Sequence, residues 1–82
     1  NGVYLGQIFK KEVGITFLKY LTNVRMEEAK RLLAEENCTV SKTAKQVGYF
    51  TSQYFAKVFA RTVGMKPQEY RKWMEDEERK DG

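Results

Sequence analysis

The chain repeats itself at an interval of 50 residues, and this repeat constrains its fold more than any other feature. When residues 1–20 are laid on residues 51–70, five positions are identical: Tyr4 and Tyr54, Phe9 and Phe59, Val13 and Val63, Gly14 and Gly64, and Tyr20 and Tyr70. A repeat identifies the structural unit from which a fold is built. Here the unit is a helix that ends at a glycine and is followed by another helix. The alternative is that two ordinary amphipathic helices have converged on one pattern.

Each copy carries its apolar residues at the spacing of an α-helix with one buried stripe. The stripe consists of Leu5, Ile8, Phe9 and Val13 in the first copy and of Phe55, Val58, Phe59 and Val63 in the second. Gly14 and Gly64 stand where a left-handed residue commonly ends a helix. Pro67 suits the first position of the next helix, because its φ angle is already helical. We predict this last helix from Pro67 to Trp73, with Tyr70 and Trp73 facing the core.

A long helix is predicted to connect the two copies, from Phe17 to about Glu36, with Thr16 as its N-cap and Asn37 as its terminator. At ~100° per residue its apolar side chains change face along the helix. The first face carries Phe17, Tyr20, Leu21 and Val24, and the second carries Met26, Ala29 and Leu33. We therefore expect its first half to pack with the first copy and its second half with the residues that follow. A helix buried on nearly all sides is the alternative.

The residues after this connector have the pattern of a helix-turn-helix. A short helix is predicted from Val40 to Val47, a turn opens at Gly48, and the second repeated helix starts at about Thr51. Two helices joined by a short turn that contains glycine meet at a steep angle, and the second helix is presented outward. The alternative for this segment is an ordinary pair of antiparallel helices in a bundle.

The charge distribution suits a polyanionic partner. The net charge is +4, but residues 74–82 hold five acidic and two basic residues, so residues 1–73 carry +7. A basic body of this kind suits nucleic acid or an acidic membrane surface. Its basic residues are spread over several helices rather than gathered on one amphipathic face, which counts against the membrane.

Composition argues against an enzyme. The chain has no histidine and one cysteine, so it offers no Ser-His or Cys-His pair, no internal disulfide and no cysteine-ligated zinc site. We therefore expect no catalysis, no metal and no cofactor. No stretch approaches the ~18 apolar residues of a membrane-spanning helix, and the order of a signal peptide is missing. A cytoplasmic protein is expected, with Cys38 as a packing residue rather than a redox sensor.

The outward face of the second repeated helix combines residue types that suit the major groove of DNA. This face carries Ser52, Gln53, Ala56, Lys57, Ala60 and Arg61 and no glutamate. A glutamine can bond to both polar atoms of an adenine edge, a lysine can donate to guanine or phosphate, and alanines allow close approach. In the first copy, Gln7 is the matching base reader and Val3 can meet a thymine methyl group. A merely solvated helix face is the alternative.

Phosphate contacts are expected around this surface, because they supply affinity without specifying sequence. The start of the helix at Val40 attracts an anion through its free N–H groups and its dipole. The expected phosphate-binding residues are Lys10, Lys11, Thr39, Ser41, Lys42, Lys45, Thr51 and Arg61.

Three segments together resemble the DNA-binding domain of AraC/XylS-type transcription regulators. They are YLGQIFKKEVG, RMEEAKRLL and TAKQVGYFTSQYFAKVFARTVGMKPQEYRK, and the resemblance covers residues 1 to about 73. It implies an all-α, double helix-turn-helix (homeodomain-like) fold in which a long linker helix joins two subdomains and the recognition helices enter successive major-groove segments. By position, the base-reading residues of the family fall on Val3, Gly6 and Gln7 in the first subdomain and on Ser52, Gln53, Tyr54 and Lys57 in the second.

The resemblance also implies a division of the chain. Residues 1–16 are expected to be the remnant of the first helix-turn-helix, 17–37 the linker helix, 38–73 the complete second subdomain and 74–82 an acidic tail. The family has further helices before the position of Asn1, and the chain does not start with methionine. We therefore interpret it as a fragment of a larger regulator with an upstream sensing domain and an incomplete first subdomain.

The resemblance has two consequences for the surface of the chain. The stripe of Leu5, Ile8 and Phe9 is expected to be exposed or covered by a neighbouring molecule, so the fragment can self-associate. Phe50 stands where the family usually has a small polar residue, which leaves the helix cap to Thr51 or Ser52.

The predicted function is sequence-specific binding of double-stranded DNA, as the output domain of a bacterial transcription regulator. RNA polymerase is the expected partner of the parent regulator. The alternative is a helical protein–protein interaction module that uses the same amphipathic faces to hold a partner helix.

Overall fold

The computed structural model describes residues 2–81, and five α-helices account for most of them. The helices are α1 (Gly2–Val13), α2 (Phe17–Leu33), α3 (Val40–Gln46), α4 (Ser52–Val63) and α5 (Pro67–Asp81). Side chains are described from residue 5 to residue 79. There is no β-strand within residues 2–81, and the predicted all-α class is confirmed. The molecule is elongated and measures 49 × 27 × 18 Å along its principal axes.

Threonine and glycine set the ends of the helices, as the sequence predicts for Thr16, Gly14 and Gly64. Thr16, Thr39 and Thr51 precede α2, α3 and α4, and each hydroxyl oxygen accepts a 3.1 Å hydrogen bond from a backbone N–H in the first turn. Such a cap stabilises a helix by about 1 kcal/mol. Gly14 and Gly64 end α1 and α4 with φ angles of +90° and +96°, a conformation that residues with a Cβ rarely adopt. Local signals therefore mark the boundaries of the repeated helices.

The hydrophobic core surrounds the helix of the second copy of the repeat. Apolar side chains from the second half of α2, from α3, from the turn after it and from α4 meet there: Met26, Ala29, Leu32, Leu33, Cys38, Ala44, Val47, Tyr49, Phe55, Val58 and Phe59. Aromatic rings follow one another through this core, with centroid distances of 5.7 Å from Tyr49 to Phe55 and 5.7 Å from Phe55 to Phe59. Tyr70 of α5 extends the series, 5.6 Å from Phe59. The buried face of α4 is thus packed against side chains of α2, α3 and α5.

α2 packs against both copies with different faces, which confirms the predicted change of face. In its first half, Phe17 and Tyr20 contact Phe9 of α1 edge to face, with centroid distances of 5.3 and 5.2 Å. In its second half, Met26 and Ala29 are buried in the core with α4. One helix therefore connects the two copies physically.

The apolar stripe of α1 is largely uncovered, as expected from the sequence. Leu5 and Ile8 retain 64% and 42% of their accessible surface. Phe9 is half-buried because the rings of α2 cover one of its sides. α1 is consequently attached to the molecule through few buried side chains.

The prediction for the end of α2 is wrong. The helix ends at Leu33 with Ala34 as its C-cap, not at Glu36 with Asn37 as terminator. Beyond this point, the Arg71 guanidinium of α5 donates to the backbone carbonyls of Glu36 at 2.6 Å, of Glu35 at 3.4 Å and of Cys38. These carbonyls are thus satisfied by a distant side chain instead of a continuing helix.

The prediction for the end of α5 is also wrong. The helix continues through the acidic residues to Asp81 instead of ending at Trp73. The sequence from Gln68 to Asp81 contains no glycine or proline and is rich in glutamate, lysine and arginine, which favour helices. Trp73 does not face the core, since it retains 47% of its surface. Its ring lies 5.9 Å from that of Tyr70, which does pack against the core.

Candidate nucleic-acid interface

The turn between α3 and α4 is held in place by α2. Gly48 has a φ angle of +98°, and the N–H groups of Gly48 and Tyr49 donate to the carbonyls of Lys45 at 3.1 Å and Ala44 at 2.8 Å. The Arg25 guanidinium lies 5.6 Å from the centroid of the Tyr49 ring. It also fills the space beside Gly48, where a Cβ would lie 3.3 Å from the guanidinium carbon. The start of α4 is therefore fixed relative to α2.

Gln53 and Lys57 form the outward ridge of α4. They lie one helical turn apart on the same face, and both are exposed, whereas Phe55 on the opposite face is fully buried. The neighbouring Ala56 and Ala60 are partly exposed and add little bulk. Within the part of the chain that the structure describes, no carboxylate forms an ion pair with Lys57. The ridge thus presents one amide and one unneutralised ammonium group.

The other two predicted base-reading residues of α4 lie on the flanks of this ridge. Ser52 is half-buried in the first turn and faces α5. Tyr54 is exposed on the side of α2, with its ring centroid 5.7 Å from that of Tyr49. All four predicted base-reading residues therefore lie in the first half of α4. Gln53 and Lys57 form the ridge, and Ser52 and Tyr54 lie on either side of it.

The predicted base-reading surface of α1 is described only in part. Gln7 is exposed and Gly6 is half-buried, while the side chain of Val3 lies outside the described residues. A Cβ at Gly6 would have no atom within 4 Å, so packing does not require a glycine there. Lys10 and Lys11 are exposed in the last turn of the helix.

The remaining predicted phosphate contacts lie around α3 and α4. The hydroxyl oxygens of Thr39 and Thr51 accept the capping hydrogen bonds, which leaves each hydroxyl hydrogen available to donate. The other side chains are exposed: Ser41, Lys42, Lys45 and Arg61. Their exposure permits the predicted contacts.

Two clefts run along the sides of α4. The α3–α5 cleft is bounded by the starts of α3 and α5, with Gln53 of the ridge at its edge. Its other walls are formed by Val40, Ser52, Ala56, Lys66, Pro67, Gln68 and Glu69. The α2–α4 cleft separates α4 from the first half of α2, and its walls include Leu18, Lys19, Arg25, Phe50, Tyr54 and Arg61. The outward ridge therefore stands between two grooves.

The residues that border α4 also include Lys19, Arg25 and Lys66, which are not predicted from the sequence. Leu18, Thr22 and Arg25 lie four and then three residues apart, so the spacing alone places them on one face of α2. That this face is turned toward α4 depends on how the helices pack, which the spacing does not determine.

Cys38 is buried, with its Sγ 3.2 Å from the Thr43 hydroxyl oxygen, as expected for a packing residue. On α2, a 2.6 Å hydrogen bond from the exposed Arg31 guanidinium lowers the pKa of the Glu28 carboxyl group. Among the described residues, no histidine, cysteine or acidic side chains cluster in threes as metal ligands, and no helix is long and apolar enough to cross a membrane.

Residues 2–72 match a protein family described as "Helix-turn-helix domain". The chain is 38% identical over 74 residues to the uncharacterized transcriptional regulatory protein YesN of Bacillus subtilis, which covers 88% of this chain and 20% of that protein. It is 37% identical over 67 residues to the transcriptional activator RhaR of Yersinia pseudotuberculosis, which covers 82% of this chain and 23% of that protein. The chain thus spans about a fifth of each of these relatives.

Solved structures show the same arrangement of helices. The C-terminal domain of the two-component response regulator YesN from Fusobacterium nucleatum superposes with a TM-score of 0.83 at 38% identity, over 87% of this chain and 69% of that one. The C-terminal domain of AraT, a response regulator from Geobacillus stearothermophilus, superposes with a TM-score of 0.84 at 39% identity, over 88% of this chain and 60% of that one.

Proposed function

Because this chain belongs to the family of AraC-type helix-turn-helix domains and has their double helix-turn-helix fold, we propose that it binds double-stranded DNA sequence-specifically. It acts as the output domain of a bacterial transcription regulator, in the cytoplasm where the chromosome lies. The family consists of DNA-binding regulators and is not a class of enzymes. In this proposal α4 enters the major groove as the recognition helix.

The observation that carries the proposal is the outward ridge of Gln53 and Lys57. Both side chains are exposed on a helix whose opposite face is buried, and Lys57 has no ionic partner among the described residues. Gln53 can bond to both polar atoms of an adenine edge, and Lys57 can donate to guanine O6 and N7. Ala56 and Ala60 leave room for the helix to approach the bases closely.

The remaining roles follow the positions of the side chains. Ser52 and Tyr54 contact bases or sugars at the two edges of the groove, since they lie on the flanks of the ridge. α1 contributes Val3, Gly6 and Gln7 to a second groove segment. The phosphates are bound by the exposed basic and hydroxyl groups: Lys10, Lys11, Thr39, Ser41, Lys42, Lys45, Thr51 and Arg61.

We propose that the chain is divided as its sequence predicts, with two refinements. Residues 1–16 belong to the first subdomain, 17–37 to the linker and 38–73 to the second subdomain. The linker contains α2 followed by a short non-helical connection, and the acidic residues after Trp73 prolong α5 to Asp81. Contact with RNA polymerase is assigned to the parent regulator.

A second candidate, protein–protein interaction, rests on one observation. The stripe of α1 exposes Leu5, Ile8 and Val13, next to the exposed Phe17 of α2. A contiguous apolar surface of this kind marks an interface, and here it would join the chain to a second copy of itself. Light scattering that shows a monomer at high protein concentration, without binding of an apolar dye, would count against self-association.

Selection of duplexes from a random pool tests the leading proposal. The chain is expected to enrich a shared sequence, and the affinity for that duplex should fall steeply with salt because phosphate contacts release counterions. Equal affinity for selected and unselected duplexes would contradict sequence-specific binding. Binding to a protein partner without measurable binding to any duplex would favour the interaction module.

A further inference from the structure

The α2–α4 cleft has basic walls. Lys19 and Arg25 of α2 face Arg61 of α4 across it, and among the described residues that line the cleft none is acidic. The rest of its polar lining consists of threonine, asparagine and tyrosine side chains, which can donate hydrogen bonds. The cleft therefore concentrates positive charge on one side of the recognition helix.

This positive charge is not neutralised within the described part of the molecule. The ion pairs of the structure join Lys30 with Glu27, Arg31 with Glu28 and Glu35, and Arg71 with Glu75, and none of them involves a residue of the cleft. Arg25 rests on the Tyr49 ring, a contact that positions its guanidinium without removing its charge. An anion that enters the cleft meets three available cations.

The position of the cleft identifies the anion. An α-helix is about 10–12 Å across with its side chains and fills a major groove of about 12 Å, so a sugar–phosphate strand runs along each side of it. Tyr54 and Arg61 lie on the side of α4 that faces α2, whereas Gln53 and Lys57 form the ridge. A duplex that meets this ridge brings one strand over the α2–α4 cleft.

The rim of the cleft carries apolar groups that the fold does not use. Phe50 is 99% exposed, and it forms no hydrophobic staple with Phe55, which is fully buried. Leu18 of α2 is also exposed on this rim. Deoxyribose offers apolar C–H groups beside each phosphate, so an aromatic ring and cations side by side suit the alternation of sugar and phosphate.

We propose that the α2–α4 cleft holds the DNA strand that borders the groove entered by α4. Lys19, Arg25 and Arg61 bind successive phosphates, and Phe50 packs against the sugar between them. α2 is then a DNA-binding element and not only a connector. This inference rests on the proposed function, because it needs α4 in the major groove.

The salt dependence of DNA affinity tests the role of the cations. The 82-residue chain, Lys19→Gln, Lys19→Gln/Arg61→Gln and the control Lys30→Gln are titrated with the duplex that the unmodified chain enriches most from a random pool. Each lost phosphate contact should reduce the slope of log affinity against log salt by about 0.9. We expect a reduction of about one for Lys19→Gln and about two for the double variant, and no change for Lys30→Gln, which removes the same charge outside the cleft.

A second variant tests the apolar rim. Phe50→Ser should weaken binding to the same duplex several-fold without changing the salt slope, because it removes a sugar contact and no charge. If the unmodified chain prefers the selected duplex but the double variant keeps its slope, the cleft does not bind the strand and the proposed function still stands. If the unmodified chain shows no preference for any duplex, the proposed function fails and this inference fails with it.

Discussion

The two copies of the repeat share a sequence pattern and differ in what covers it. Leu5 and Ile8 of α1 are 64% and 42% exposed, whereas Phe55 and Val58 at the corresponding positions of α4 are 0% and 8% exposed. α4 is covered by α3 and by the second half of α2, while α1 contacts the rings of Phe17 and Tyr20.

This difference shows that an apolar stripe is not buried unless other side chains cover it. Spacing predicts that one face of each helix is apolar, but the stabilising free energy arises only where other side chains remove that face from water. Each fully buried large side chain contributes about 1.5–3 kcal/mol. The second copy should therefore hold most of the stability, and α1 should open most easily.

The largest expected effect compares two phenylalanines at the same position of the repeat. Phe59→Ala removes a fully buried ring and should lower the free energy of unfolding by about 3–5 kcal/mol, whereas Phe9→Ala should cost about 1 kcal/mol because that ring is half-covered. Denaturant unfolding followed by circular dichroism measures both. Equal losses would mean that α1 is as firmly packed as α4.

A smaller effect concerns the position just after each copy, at which the side chains differ in chemistry. Arg71 and Leu21 correspond at the same interval of 50 residues, each lying one residue beyond its copy. Arg71→Leu should lower the free energy of unfolding by about 2–3 kcal/mol, because the backbone carbonyls of Glu35, Glu36 and Cys38 lose a charged donor.

The control for Arg71→Leu is Lys72→Leu on the same helix. Lys72 is exposed, and its replacement should change the free energy of unfolding by no more than about 0.5 kcal/mol. Urea unfolding of the two variants side by side is the measurement. A similar small change in both would show that the link from α5 to the end of α2 adds nothing to stability.

The smallest effect makes the first copy more like the second. Gly6 corresponds to Ala56, and a Cβ at Gly6 meets no atom within 4 Å. Gly6→Ala should therefore stabilise α1 by about 0.5–1 kcal/mol. Slower hydrogen exchange of the α1 amides would report this gain.

The control for Gly6→Ala is Gly14→Ala. Gly14 has a φ angle of +90°, so a side chain there should destabilise the end of α1. If Gly6→Ala slows exchange but weakens DNA binding, glycine serves close approach to DNA. Faster exchange in Gly6→Ala would mean that α1 needs a glycine at this position for its own stability, contrary to the open space around it.

The helix boundaries of the second copy could be predicted from the sequence, because the residues that mark them agree with the packing of the structure. Thr51, Gly64 and Pro67 each mark a boundary by their own chemistry, and the structure has those boundaries. The early end of α2 could not be predicted, because Arg71 binds the backbone carbonyls of the segment after α2 from more than 30 residues away along the chain. The full length of α5 could have been predicted from the helix propensities of its residues. Its acidic composition, however, is equally typical of a C-terminal tail.

Part of the candidate nucleic-acid interface could also be predicted from the sequence. The exposure of Gln53 and Lys57 follows from the period of the helix, since their face lies opposite the buried stripe. Lys19 and Arg25 could not be assigned to the same surface, because their nearness to α4 depends on the packing of α2. Ser52 and Tyr54 are predicted as base readers, and the structure places them on the flanks of the ridge. Their roles remain predictions.

The most direct test of the central claim compares each ridge variant on two duplexes. Gln53→Ala and Lys57→Ala are titrated against the selected duplex and a scrambled duplex of equal length, with Gln46→Ala on α3 as the control for loss of an exposed amide. Each ridge variant should lose about 1–3 kcal/mol on the selected duplex only, and Gln46→Ala should bind as the unmodified chain does. Equal losses on both duplexes would contradict base reading by the outward ridge of α4.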